Sequence, residues 1–207
     1  TFKSLHAYGW STCGLKIDGT AYCWGYNSNG SAGVGDTNDH YTPTAVSGEH
    51  VFASLARGSA QTCGLKDDGS AYCWGENRYG ALGTGSTTDS HVPAPVTGNH
   101  KFKSLYAGSE FVCGLKSTGK AYCWGGNDYE HLGDGTSTNR LVPTAVLGGL
   151  AFESMALGTR TSCALTAEGR AYCWGRNSHG EIGDGTNTQR DRKSTRLNSS
   201  HSSVSRM

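Results

Sequence analysis

Long apolar runs are missing from this sequence. No stretch approaches the ~18 consecutive apolar residues of a helical membrane span, and mean hydropathy is -0.50. Also missing is an apolar spacing of 3.6 residues sustained over ten or more positions, which excludes amphipathic helices and leaves an all-β chain. Proline (4) and methionine (2) are scarce among 207 residues. A charge excess is lacking as well: 18 Lys and Arg oppose 17 Asp and Glu, for a formal net charge of +1. Residues 191–207 hold four Lys or Arg and one acid, net +3, so the remainder carries +1 minus +3, or -2. A near-neutral chain of this kind offers no electrostatic footprint for nucleic acid.

Glycine (31), cysteine (8) and aromatics (10%) are abundant instead, and they recur with a fixed period. Thr1, Val51, Lys101 and Ala151 open four units of 50 residues without insertion or deletion. Thirteen of the first 40 positions are identical in all four copies, including the Cys pair, one Trp, one Asn and four Gly. Repetition at this spacing is the mark of an array of supersecondary units. The expected organisation is repeat 1 over 1–50, repeat 2 over 51–100, repeat 3 over 101–150, a shortened repeat 4 over 151–190, and a non-domain tail over 191–207.

Within a unit the strand signals are short. Residues 2–7, 12–16 and 20–25 read as strands, with Ile17-Asp18-Gly19 as the turn between the second and third. The glycine repeated at 69, 119 and 169 suits a left-handed residue closing a three-residue loop with a bulge. A fourth strand is expected at Pro43–Val46, 93–96 and 143–146, where proline fits an outer edge.

Phe-x-Ser-Leu, Cys-Gly-Leu-x-x-x-Gly, Ala-Tyr-Cys-Trp-Gly-x-Asn, Gly-x-Leu-Gly-x-Gly and Pro-x-x-Val, taken together in tandem, resemble the regulator of chromosome condensation repeat over residues 1–190. The resemblance implies a β-propeller with four-stranded blades. It also implies seven blades in the complete ring, so that four form a partial one and further blades of the same propeller are partners. Thr1 already lies inside a strand pattern, and the repeat breaks off after residue 190, so sequence on both sides is expected to be missing. The Ser-rich tail resembles an artefact or a disordered extension.

If 17–19 form the turn, residue 16 faces 20, 15 faces 21, 14 faces 22 and Cys13 faces Cys23. The same holds for Cys63 with Cys73, Cys113 with Cys123, and Cys163 with Cys173. Alternation along an antiparallel ladder makes each a non-hydrogen-bonded pair, at the lower edge of the Cα separation that a disulfide tolerates. Metal ligation and buried free thiols are the alternatives. Nine intervening residues do not match metal-ligand spacing, and free thiols rarely stand opposed four times over. Disulfides imply an oxidising compartment: extracellular, cell-surface or periplasmic.

No catalytic constellation is visible. An active site is singular and should break the repeat, whereas His6, His40, His91, His131 and His179 share no partner pattern, and His50 and His100 occupy one repeat position in adjacent units. Gly-x-Gly at 33, 83, 133 and 183 has no following helix to receive a phosphate, and Asp134-Gly-Thr and Asp184-Gly-Thr read as turns. Neither a cofactor nor a metal is implied. Trp24, Trp74, Trp124 and Trp174 read as packing between blades, and Asn27, Asn77, Asn127 and Asn177 as turn-fixing residues.

Function should reside in what varies between copies. Positions ten and eleven carry Trp10-Ser11, Ala60-Gln61, Glu110-Phe111 and Arg160-Thr161. Of these, Trp10, Gln61, Glu110, Phe111 and Arg160 form the candidate rim for a protein partner. A second variable stretch contains Tyr26, Asn29, Arg78, Tyr79, Asp128, Tyr129 and His179. The expected function is a non-enzymatic binding or adhesion propeller of a secreted or cell-surface protein. The resemblance also admits a secreted inhibitor, as in the β-lactamase-inhibiting relatives. A regulator of a small GTPase, as in the relatives that exchange nucleotide on Ran and bind chromatin, fits less well with oxidised hairpins.

Overall fold

The computed structural model describes residues 1–196, the last six as backbone. Each repeat forms a four-stranded antiparallel sheet with its strands in sequence order. Blade 1 holds β1 (Phe2–Tyr8), β2 (Ser11–Lys16), β3 (Ala21–Gly25) and β4 (His40–Ala45). Blade 2 holds β5 (Ser54–Arg57), β6 (Gln61–Leu65), β7 (Ala71–Gly75) and β8 (Ser90–Pro95). Blade 3 holds β9 (Ser104–Ala107), β10 (Phe111–Leu115), β11 (Ala121–Gly125) and β12 (Arg140–Ala145). Blade 4 holds β13 (Ser154–Leu157), β14 (Thr161–Leu165), β15 (Ala171–Gly175) and β16 (Arg190–Arg196). The first strands of consecutive blades, β1 with β5, β5 with β9 and β9 with β13, lie against one another, so the sheets splay outward from them as propeller blades do.

The central hairpin sets the rest. In blade 1 the Gly19 amide donates to the Lys16 carbonyl (3.0 Å) and the Lys16 amide to the Thr20 carbonyl (2.9 Å), with Gly19 at φ 83°. This is the three-residue loop with a bulge that Gly19 permits. From it the register runs Leu15 to Ala21, Gly14 to Tyr22 and Cys13 to Cys23, and the other three blades repeat it. All four Cys pairs are bonded, with Cα atoms 4.1 Å apart, as the close, non-hydrogen-bonded pairs of an antiparallel ladder require. Each bond closes a loop worth roughly 2.5 to 3 kcal/mol of chain entropy.

The fourth strand begins earlier than its proline signals: β4 starts at His40, three residues before Pro43. In blade 4 it is Arg190–Arg196, paired with β15 through Tyr172 to Arg196 and Cys173 to Thr195. The strand therefore runs six residues past the expected end of repeat 4 at 190 and into the segment read as a tail. Ladder bonds join backbone groups, so an outer strand can form where the side chains no longer match the repeat. The remainder of that segment, 197–207, lies outside the described residues.

Apolar side chains are buried between blades. Strand alternation sends residues 13, 15, 21 and 23 toward the following blade and Phe2, 12, 14 and 24 the other way. One core therefore joins Cys13, Leu15, Ala21 and Cys23 to Phe52, Leu55 and Trp74 of blade 2. Its counterparts join Cys63, Leu65 and Cys73 to Phe102, Val112 and Trp124, and Phe111, Cys113 and Leu115 to Phe152, Met155 and Trp174. In each joint the indole donates to a carbonyl of the preceding blade: Trp74 to Ser31 (3.0 Å), Trp124 to Ala81 (2.9 Å) and Trp174 to His131 (3.0 Å). Trp24 has no described blade before it and is only half-buried, packed on Phe2 at 5.9 Å.

Trp124→Phe leaves the buried Ala81 carbonyl without its donor and opens a small void, so it should cost about 1–3 kcal/mol more in urea unfolding than Trp24→Phe. Equal losses would refute the joint as the seat of stability.

Candidate functional site

Two positions far apart in each repeat are drawn together at one end of every blade. The amide of residue 26 donates to the carbonyl of residue 10 at 3.1 Å in blade 1, and the pairs 76 to 60, 126 to 110 and 176 to 160 repeat the bond at 2.9 Å. Gly25 makes this approach possible. It sits at φ 96°, and a Cβ there would lie 2.4 Å from the Trp10 carbonyl oxygen. The residues brought together are Trp10 with Tyr26, Ala60 with Glu76, Glu110 with Gly126, and Arg160 with Arg176.

Position 29 of one blade reaches across to position 26 of the next. Asn29 Nδ2 donates to Glu76 Oε2 (3.3 Å). Tyr129 lies against both cations of blade 4, its ring centroid 4.7 Å from the Arg160 guanidinium and 5.6 Å from that of Arg176. Arg160 Nη1 also donates to the Tyr129 hydroxyl (3.2 Å). Trp10, 82% exposed, meets Tyr26 edge-on at 5.7 Å. The result is a continuous rim running from blade 1 to blade 4.

Of the five expected rim residues, Trp10, Glu110 and Arg160 occupy this rim, whereas Gln61 and Phe111 do not. Gln61 and Phe111 are 1% and 0% exposed. The reason is strand alternation: position eleven points the same way as Cys13 and Leu15, into the joint with the next blade. Gln61 Nε2 accordingly donates to the Gly108 carbonyl (3.2 Å) of blade 3, and Phe111 packs in the joint between blades 3 and 4. Glu76 and Arg176, which share a repeat position with Tyr26 of the second variable stretch, belong to the rim as well.

The buried asparagines hold the long loop behind the rim, over a wider span than a single turn. Asn127 Oδ1 accepts from the Leu132 amide (2.9 Å), while Nδ2 donates to the carbonyls of Thr136 (2.7 Å) and Thr138 (3.1 Å). Asn77 and Asn177 repeat the pattern, and Asn27 accepts from the Ala32 amide (2.8 Å) and donates to the Asp36 carbonyl (3.0 Å).

Two polar side chains differ from the rest of the joints. Arg57 is buried between blades 1 and 2 and forms no ion pair among the described residues. Its guanidinium donates to Thr62 Oγ1 (2.7 Å), Cys13 Sγ (3.2 Å) and the Ser11 hydroxyl, and burial lowers its pKa to about 10. His131 is buried in the joint between blades 3 and 4, edge-on to Phe111 at 4.5 Å. Burial is the main cause that pushes its pKa down to about 4, with Arg160 adding to it and Asp128 and the Gly126 backbone opposing. Among the described residues no group of three His, Cys, Asp or Glu is placed to hold a metal. No described helix is long and apolar enough to cross a membrane.

Stacked four-stranded antiparallel blades with tryptophan-sealed joints define this as a β-propeller, of which the chain supplies four blades. A family model of the regulator of chromosome condensation (RCC1) repeat matches residues 68–115 and 118–165, and a second model of that repeat matches 2–31, 46–81, 102–130 and 152–181. The chain belongs to the RCC1 repeat family. Similar solved structures include Prp20p of Saccharomyces cerevisiae, with a TM-score of 0.83, 21% identity, and coverage of 97% of this chain and 51% of that one. Human WBSCR16 is similar with a TM-score of 0.82, 22% identity, and coverage of 92% and 52%. The ectodomain of the Physcomitrella patens receptor kinase CR4 follows at 0.56, with 25% identity and coverage of 85% and 41%. The chain thus spans about half the length of the solved structures it matches. No curated protein matches it by sequence.

The buried His131 makes stability fall with acid. An unfolded histidine takes up its proton near pH 6.5 and the folded one only near 4, so between these values the unfolded state binds more protons and stability drops as pH falls. Urea unfolding of His131→Leu beside the parent should show the parent losing about 2 kcal/mol more between pH 7 and pH 5. A difference that does not change with pH would contradict this.

Proposed function

We propose that the chain is part of a non-enzymatic protein-binding propeller of a secreted or cell-surface protein, and that positions 10 and 26 of its blades form the binding rim. The observation that carries this reading is the change of chemistry at two positions whose backbone geometry is the same in all four blades. A fixed scaffold with a variable edge is the arrangement expected of a recognition surface. Partners of two kinds follow: a protein held on the rim, and further blades of the same propeller covering the two end faces. One end face carries the half-buried Phe2 and Trp24, the other the 43% exposed Leu165.

The four disulfides support an oxidising location, whether extracellular, at the cell surface or periplasmic. The likeness to a receptor kinase ectodomain points the same way. The same compartment suits a secreted inhibitor of an enzyme such as a β-lactamase, in which the rim would cover the enzyme's active-site mouth. An exchange factor for a small GTPase draws only on the shared fold: the structure of Prp20p is described with its binding to Gsp1p and histones. Disulfides buried in every joint fit a nuclear or cytosolic site poorly.

Proximity labelling from the chain displayed on a cell surface tests the reading. Parent protein should label a defined set of exported proteins, and the set should be lost in Glu110→Lys with Arg160→Glu but kept in Lys66→Ala at the opposite end of blade 2. Labelling that is identical for all three would overturn the rim as the functional surface.

A further inference from the structure

The rim is zoned by charge. Positions 10 and 26 carry an aromatic pair in blade 1 (Trp10, Tyr26), one acid in blade 2 (Glu76), one acid in blade 3 (Glu110) and a cation pair in blade 4 (Arg160, Arg176). Because the backbone bond between positions 10 and 26 recurs in every blade, these groups follow one another along the edge in chain order.

The charges at its centre form no close ion pair among the described residues, although Arg78 is near enough to act on Glu76 and Glu110. Elsewhere the chain pairs charges closely: Arg190 with Asp184 at 2.9 Å and Lys101 with Asp68 at 2.7 Å. Glu76, Glu110 and Arg160 are half-buried, and none takes part in an ion pair among the described residues. A half-buried charge without a close ion pair is held at a cost that a counter-charge brought by another molecule would offset.

Glu76 and Glu110 line one shallow recess between blades 2 and 3, together with Ala60, the buried Gln61, Arg78, Tyr79, Ala81 and Ser109. Its cation, Arg78, is turned onto the Tyr79 ring (4.7 Å) and is not in ion-pair contact with either acid. Glu76 resists ionisation, chiefly through burial and then through Asp89, with Arg78 opposing and Glu110 adding to it. At the other end Arg176 leans toward Glu181 (3.7 Å), whereas the Arg160 guanidinium, among the described residues, hydrogen-bonds to Tyr129 and forms no ion pair.

We propose that this rim docks a protein segment whose groups run in the complementary order: an aromatic or apolar side chain on Trp10 and Tyr26, basic side chains over Glu76 and Glu110, and an acidic side chain on Arg160. The proposal rests on the protein-binding reading above and adds the partner's chemistry to it. Specificity comes from the order of charges, since a segment of the same composition with acid and base exchanged would set like charges together at both sites. Salt should weaken the docking, because the three charges are partly solvated.

Two fluorescein-labelled peptides provide the probe. One carries a tryptophan, then a block of lysines, then a block of glutamates, separated by Gly-Ser spacers; the other has the lysine and glutamate blocks exchanged. Fluorescence anisotropy with the intact chain at low salt should show the first peptide binding at least about tenfold more tightly, a difference of roughly 1.4 kcal/mol. Glu76→Lys with Glu110→Lys and Arg160→Glu should invert the preference, and matching thermal melts would show that the variant keeps its fold. Equal binding of the two peptides, binding of neither, or an unchanged preference in the charge-reversed chain would each overturn the proposal. If cell-surface labelling still depended on the rim while the peptides were not discriminated, the charge order alone would fail. If labelling did not depend on the rim, the protein-binding reading would fail with it.

Discussion

The rest of the structure depends on one constraint: a sulfur bridge across the middle of each central hairpin, between residues ten apart in sequence. It joins a pair of residues that the ladder already holds 4.1 Å apart at Cα, and so fixes the register of the hairpin. With register fixed, alternation assigns every side chain to one of two faces. Residues 13, 15, 21 and 23 face the next blade, and the tryptophan at 24, 74, 124 or 174 faces the previous one. A slip by one residue would exchange the faces and leave no core in any joint.

The joints are where the fold and the rim meet. Each combines a disulfide, an indole and a phenylalanine ring from two neighbouring blades with one indole-to-carbonyl hydrogen bond. The carbonyl belongs to position 31, four residues beyond the asparagine that holds the long loop, so the loop behind the rim is tied to the next blade's tryptophan. Rim chemistry can change from blade to blade because none of these ties uses the side chains at positions 10 and 26. Arg57 and His131 show that the joints also accept polar groups, each at a cost visible in a lowered pKa.

The period of 50, the facing cysteines and the inter-blade role of tryptophan could be read from sequence because each depends on residue identity and spacing alone. The hairpin arithmetic that sets Cys13 opposite Cys23 also sets residue 10 opposite residue 26, so the rim pairs were within reach of the same reasoning. Variation between copies, read as a sign of exposure, places Gln61 and Phe111 on the rim, whereas both are buried. They vary because each joint has its own filling: Gln61 bonds to backbone in one joint and Phe111 packs on His131 in another. The extent of the outer strands was not legible. β4 begins three residues before Pro43, and β16 is made of residues unlike the repeat, because backbone pairing sets these edges.

Counting sulfhydryls tests the account most directly. The chain, exported through an oxidising route, is denatured without reductant, alkylated with iodoacetamide and weighed. The account predicts that none of the eight cysteines takes up the label until a reductant is added. Eight labelled cysteines before reduction would contradict it, removing the bond that fixes register and the oxidising compartment together.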